Sequence, residues 1–154
     1  MLIGVYCLMN YLTVNIKKLS KNAIIPKFSH ADDSGADVYS IDDVVINAGE
    51  KALIHTGLAI ELPDGYECQV RSKSGLALHS SIFVLNSPGT IDHGYRGECN
   101  VILMNLGKEP YHVKVGQKIA QFVFKPVFQV KFKEKSDLSD TCRGDGGFGS
   151  TGIQ

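Results

Sequence analysis

The sequence predicts an all-β protein, a β-sandwich or jelly roll with one short helix and a flexible C-terminal arm. Three observations predict it. Short alternating or β-branched runs recur along most of the chain, separated by Gly, Pro, Asp and Asn turn signals. Helical periodicity is confined to one short stretch. After Phe132 the apolar runs stop, and a polar linker leads into a glycine-rich end.

In chain order, "LTVNIKKL" (12–19) alternates polar and apolar residues, as a half-buried strand does. "ADVYSI" (36–41) and "DDVVINAGE" (42–50) give two more strands, the second closing in a turn. "ALIHTGLAIEL" (52–62) reads as one apolar run that ends at the turn "PDG". "YECQVRS" (66–72) alternates again. "SKSGLALHSS" (72–81) is the helix, a turn or two long. "IFVLN" (82–86) enters "SPGT", a Pro-Gly turn, and "ECNVILMNLG" (98–107) is a buried strand with a glycine exit. "YHVKV" (111–115), "KIAQFVF" (118–124) and "VFQVKF" (127–132) complete the set. This divides the chain into a β core over 1–132 and a linker and arm over 133–154. The stretch from Lys133 to Gly149 can span ~50 Å at ~3.3 Å per residue, far enough to serve a site on another subunit.

A chain of 154 residues fits one domain with its own core. Sixteen basic residues balance sixteen acidic ones, so nothing in the overall charge steers the protein to nucleic acid or a membrane surface. The apolar start "MLIGVYCLMNYL" is too short to span a bilayer and lacks the basic flank of a signal peptide. Residues 1–8 read as an edge strand or an over-long start, with Met9 the natural first residue. Cysteines at 7, 68, 99 and 142 have neither CxxC spacing nor a neighbouring histidine cluster. They read as free thiols in a reducing, cytoplasmic setting.

Five stretches carry chemistry. "RGDGGFGSTG" (143–152) offers close-approach glycines, a bidentate guanidinium at Arg143, hydroxyls at Ser150 and Thr151 and a stacking face at Phe148. That combination suits a flat group attached to phosphates. "NSPGTIDHGYRGE" (86–98) suits a hairpin that presents main-chain donors and acceptors to a base edge, with Asp92 as a general base on water and Tyr95 against a sugar. "VRSKSGLAL" (70–78) places Ser74 and Gly75 at a helix start. "GQKIAQFVF" (116–124) carries Gln121 in an apolar strand, and "DSGADVYS" (33–40) places Asp37 beside Gly35 at a strand start. Each taken alone has an ordinary explanation: a flexible tail, a capped turn, a capped helix or an outward-facing side chain.

Their order is more specific. SGADVYS, SGLA, GTIDxGYRGE, GQKIAQ and RGDGGFGSTG together resemble the five motifs of the trimeric dUTP pyrophosphatases, over about residues 30–152. The resemblance implies a homotrimer of distorted jelly rolls of the β-clip type that hydrolyses dUTP to dUMP and pyrophosphate with Mg²⁺. Such an activity limits uracil in DNA and supplies dUMP for thymidylate synthesis. Each site would be shared between subunits, the C-terminal arm closing over a neighbour's nucleotide.

Carried over by position, Asp92 resembles the residue that activates water for attack on the α-phosphorus. Asn86, Gly89, Thr90 and Ile91 look like the uracil-binding hairpin, Tyr95 like the aromatic under the deoxyribose, and Asn100 like a further uracil-side position. Lys73, Ser74, Gly75 and Gln121 resemble phosphate contacts. Arg143, Gly147, Phe148, Gly149 and Ser150 resemble the lid, with Phe148 stacked on uracil. Asp37 resembles the carboxylate near Mg²⁺-bound water, the metal itself being held mainly by triphosphate oxygens. Two positions depart from the family pattern. Lys73 stands where Arg is usual and lacks its fork, so either Arg71 compensates or the grip is weaker. Gly94 stands where a second Asp is common. The dCTP deaminases share the fold, but their catalytic Glu would fall on Ile102, leaving no proton shuttle. A non-catalytic nucleotide-binding trimer would not need Asp92 and the arm, and a purely structural jelly roll would not need the arm.

Overall fold

The computed structural model describes residues 11–148 and 150. Among these, eleven strands and one helix follow one another as β1 (Asn15–Lys18), β2 (Ala36–Tyr39), β3 (Val44–Ile46), β4 (Lys51–Ile54), β5 (Leu58–Glu61), β6 (Tyr66–Arg71), α1 (Ser74–Ser80), β7 (Ile82–Val84), β8 (Gly89–Ile91), β9 (Val101–Asn105), β10 (Tyr111–Val113) and β11 (Lys118–Pro126). They form four antiparallel sheets, ordered β1-β5, β10-β3, β2-β11-β6-β8 and β4-β9-β7. Val38, Ile54, Val70, Ile82, Leu103 and Phe122 are among the side chains that fill one core between them. This is the jelly-roll type of all-β fold, with its single short helix where the sequence places it.

Small sheets arise because the chain changes sheet at buried polar corners. The apolar run over 52–62 is two strands, not one. It breaks at Gly57, whose φ is +67° and where a Cβ would lie 2.9 Å from the Ser20 Cβ. Beside it, the buried Thr56 Oγ1 donates to the Cys99 carbonyl at 2.7 Å and accepts from the Leu58 N–H at 3.2 Å. β4 therefore pairs with β9, and β5 pairs with β1. Buried Asn105 ties three further segments: its amide donates to the Ile46 and Glu109 carbonyls, and its oxygen accepts from the Gly107 N–H at 2.8 Å. Every polar atom of that side chain is thus met, which is what its burial requires.

Two expectations change. The stretch read as the turn "SPGT" contains β8: Gly89 and Thr90 pair with Val70 and Gln69 of β6, and the turn lies over residues 85–88. The last expected strand, 127–132, is not formed. β11 ends at Pro126, and Phe128 and Phe132 are 87% and 96% exposed. Alternation alone does not make a strand; its backbone needs a partner, and among the described residues the pairing stops at Val127, whose N–H donates to the Gly65 carbonyl at 2.8 Å. The free cysteines agree with the thiol reading, with Cys68 and Cys99 in the core and Cys142 exposed, while Cys7 lies outside the described residues. Burial pushes both core thiols well above the usual range.

Candidate active site

A cavity of about 310 Å³ opens between the 86–92 segment and the start of β9. Its lining brings together Asn86, Gly89, Thr90, Ile91, Asp92, Tyr95 and Asn100. Leu53, Val70, Glu98, Cys99, Val101 and the apolar Ile102 complete the wall. The volume lies at the small end of ligand pockets, with apolar walls and a few polar groups at the rim.

Local chemistry explains the shape. Ile91 points into the core and Asp92 out of it, as strand alternation demands. The Tyr95 N–H donates to the Asp92 carbonyl at 3.0 Å, closing a turn that sets the ring and the carboxylate three residues apart on one loop. The Tyr95 hydroxyl donates to the Glu98 carbonyl at 3.0 Å. Gly97 makes that possible, because a Cβ there would lie 2.6 Å from the ring's Cζ. Gly89 leaves room for Asn86, whose Nδ2 would be 3.1 Å from a Cβ at position 89. The Asn100 Oδ1 is buried with no hydrogen-bond partner among the described residues.

A second group lies on the outer face of the four-stranded sheet. Gln121 of β11 stands directly opposite Asp37 of β2 on one side and Arg71 of β6 on the other. Asp37 is only 2% exposed. Lys73 donates to its Oδ1, Lys118 reaches its Oδ2 at 2.7 Å, and the Ser29 hydroxyl donates to Oδ2 at 3.1 Å. Gln121 Nε2 makes a longer contact to Oδ1 at 3.5 Å. Burial by itself would raise this carboxyl's pKa, but the bonds from Lys118, Lys73 and Ser29 outweigh it and hold Asp37 at about 2. Gly35 is needed here too: a Cβ there would press within 3.2 Å of the Gln121 side chain. Arg71 turns its Nε to Gln69 Oε1 at 3.0 Å. Two ammonium groups around one carboxylate leave this face locally positive in a chain of zero net charge.

The structure thus unites the hairpin residues in one cavity and joins the first, second and fourth motifs through Asp37. It does not bring the arm to either. Arg143, Phe148 and Ser150 lie in exposed turns of their own, Arg143 Nε donating to the Gly146 carbonyl at 2.8 Å and Ser150 N–H to the Gly147 carbonyl at 3.0 Å. Gly149 lies outside the described residues. Ser74 and Gly75 are exposed at the start of α1.

Sequence reasoning missed Lys118. A regular strand would turn positions 118 and 121 to opposite faces, but β11 shifts register between Lys118 and Ala120, and the irregularity brings both to Asp37. It also missed Glu98, whose Oε1 accepts from the Gly57 N–H at 2.7 Å and ties the cavity wall to the β4–β5 corner.

The profile of the dUTPase family matches residues 21–152. Deoxyuridine 5'-triphosphate nucleotidohydrolases of Alkaliphilus metalliredigens and Clostridioides difficile are 54% and 55% identical to this chain, covering 92% and 91% of it and 98% of each relative. A mutant dUTPase of Staphylococcus bacteriophage 80alpha, solved with dUpNHpp, superposes with a TM-score of 0.82 at 30% identity, covering 92% of this chain and 99% of the phage chain. An Asp→Asn mutant dUTPase from phage phi11, solved for the coordination of a structural Mg(II) ion, superposes at 0.77 with 27% identity over 83% of this chain and 99% of that one. A jelly roll with this order of motifs is the architecture of a nucleotide hydrolase, and the chain belongs to the dUTPase family. Its reaction is the hydrolysis of dUTP to dUMP and pyrophosphate. Among the described residues no helix is long and apolar enough to cross a membrane.

Proposed function

We propose that the cavity beside the 86–92 segment takes the uracil and deoxyribose of dUTP, and that Asp92 activates the water that attacks the α-phosphorus. The observation that carries this reading is the convergence of Asn86, Gly89, Thr90, Ile91, Asp92, Tyr95 and Asn100 on one cavity. Main-chain groups of the short β8 strand read the edge of the base, and the unpartnered Asn100 oxygen provides a further acceptor at the same wall. Tyr95 packs under the sugar. Asp92 stands at the cavity rim in an exposed turn, where a water can be held between carboxylate and phosphate.

The triphosphate lies toward Gln121, Ser74, Gly75 and the cations at their side. Lys73 gives a point charge, and Arg71, directly across from Gln121, supplies the fork that Lys73 lacks. Among the described residues no group of three His, Cys, Asp or Glu side chains could hold a metal, and the Asp37 oxygens are already filled by donors. These residues do not fit a protein-held Mg²⁺, nor a place for Asp37 beside metal-bound water. The Mg²⁺ of the reaction arrives on the triphosphate oxygens, and Asp37 serves the lysines.

Completion of the site requires other copies of the chain. The arm, with Arg143, Gly147, Phe148, Gly149 and Ser150, closes over the nucleotide of a neighbour in a cytoplasmic homotrimer, and the β core is followed by linker and arm. Two features support assembly: the exposed alternating stretch Val127–Phe132, and the exposed Leu53 and Leu85 on the outer side of the β4-β9-β7 sheet beside the cavity. The test is pyrophosphate release from dUTP, dCTP and UTP by the wild type and by Asp92→Asn. The expected outcome is a reaction confined to dUTP whose kcat falls by about 10²–10⁴ in the variant. Near-normal turnover by Asp92→Asn overturns the assignment.

A further inference from the structure

Among the described residues nothing hydrogen-bonds to the Asp92 carboxylate, so its place depends on the turn that carries it. That turn is held from the side away from the substrate. Arg96 Nη1 donates to two of its carbonyls, His93 at 2.6 Å and Tyr95 at 3.0 Å. Arg96 Nη2 reaches Glu61 Oε1 of β5 at 3.3 Å, and the other Glu61 oxygen accepts from Asn15 Nδ2 of β1 at 2.8 Å. One chain of contacts therefore runs from the β1-β5 sheet through Glu61 and Arg96 into the backbone on either side of Gly94. Arg96 lines two hollows beside β1 and β5 and no part of the 310 Å³ cavity.

We propose that Arg96 is a positioning residue for the hydrolysis, its guanidinium fixing the 92–96 turn against β5 so that the Asp92 carboxylate and the Tyr95 ring hold their places across the cavity. The proposal rests on the roles given above to Asp92 and Tyr95. The turn needs such support, because Gly94 at its centre has no side chain and open space around it. A guanidinium suits the task where an ammonium does not. Its planar N–H groups can meet two carbonyls and a carboxylate at once, whereas a lysine brings a point charge on a flexible stem. His93 pins the same turn elsewhere, Nδ1 at 2.9 Å from the Leu62 carbonyl and Nε2 at 2.8 Å from Asp64. Loss of Arg96 thus loosens the turn without releasing it. A displacement of ~1 Å at a catalytic group can cost ~10² in rate.

The experiment compares wild type, Arg96→Met, Arg96→Lys and Asp92→Asn. Three quantities are measured: kcat and KM for dUTP and for UTP, the Kd of the non-hydrolysable α,β-imido-dUTP, and thermal stability. In Arg96→Met, kcat for dUTP is expected to fall ~10–100-fold, the dUTP/UTP ratio of kcat/KM to fall with it, and the analogue's Kd to change by less than about threefold. Arg96→Lys behaves like Arg96→Met, because charge without the fork does not bridge the carbonyls. Glu61→Ala produces a smaller loss of the same kind and adds nothing further once Arg96 is Met. Wild-type kcat in Arg96→Met, or a loss of stability alone, overturns the proposal, as does full rescue by lysine. If Asp92→Asn keeps its turnover, the failure lies with the proposed catalytic role of Asp92. If Asp92→Asn is inactive and Arg96→Met is not impaired, only the role of Arg96 falls.

Discussion

Asp37→Asn removes one buried charge and leaves two cations facing a neutral amide. In the folded chain the Asp37 carboxyl sits at about 2 against an ordinary 3.8. Proton affinity converts at ~1.4 kcal/mol per tenfold, so the folded state gains ~2 kcal/mol from keeping this group ionised. The sign follows from the depressed value. The stabilisation is complete above pH 3.8 and is lost as the pH falls through about 2. The substitution removes it at every pH and also strands the Lys73 ammonium, whose side chain is only 22% exposed. Lys118, at 46% exposure, recovers water and adds little. The total at pH 7 is ~2–4 kcal/mol, which for a chain of this length lowers Tm by about 5–15 °C. The assay is thermal unfolding followed by circular dichroism at pH 7, 5, 3 and 2.5, at one protein concentration. The wild type should lead by the full margin at pH 7 and 5, and the margin should shrink below pH 3. A margin that is constant down to pH 2.5 refutes the electrostatic account and points to packing alone.

Tyr95→Ala opens the floor under the sugar, and the ratio of kcat/KM for dUTP over UTP should fall while dUTP turnover weakens; an unchanged ratio places sugar discrimination elsewhere. Gly97→Ala pushes a methyl group into the Tyr95 ring, so it should lower the same ratio with an overpacking cost of ~1–3 kcal/mol; an unchanged ratio and Tm show that the loop absorbs the methyl. Truncation after Asp140 should leave a folded core, since β11 ends at Pro126, yet nearly abolish activity. Mixing truncated chains with Asp92→Asn chains should restore part of it if the arm serves a neighbour, and no recovery after verified subunit exchange argues that the arm closes on its own subunit.

The all-β class, a short helix within 72–81 and the positions of most strands were legible in the sequence, because alternation and turn chemistry are local properties of the chain. The sequence also determined the family, because the order of five motifs is written in residues. Where neighbours decide, it was silent or misled. The run over 52–62 breaks at Gly57 because Ser20 and Ala23, far away in sequence, leave no room for a Cβ. "VFQVKF" has the pattern of a strand, but beyond Val127 it pairs with no strand among the described residues. Asp37, read from its sequence neighbours alone, looks like a turn residue. Only packing shows that two lysines, a serine and a glutamine from three other segments surround its oxygens. Lys118 was hidden by a register shift that no periodicity reports. Arg96 was passed over because its partners are backbone carbonyls and a residue 35 positions away. Residue types and their order fix which chemistry is present, but the tertiary structure decides which groups meet. Side-chain bonds and close approaches depend on distances between segments that the linear pattern does not encode.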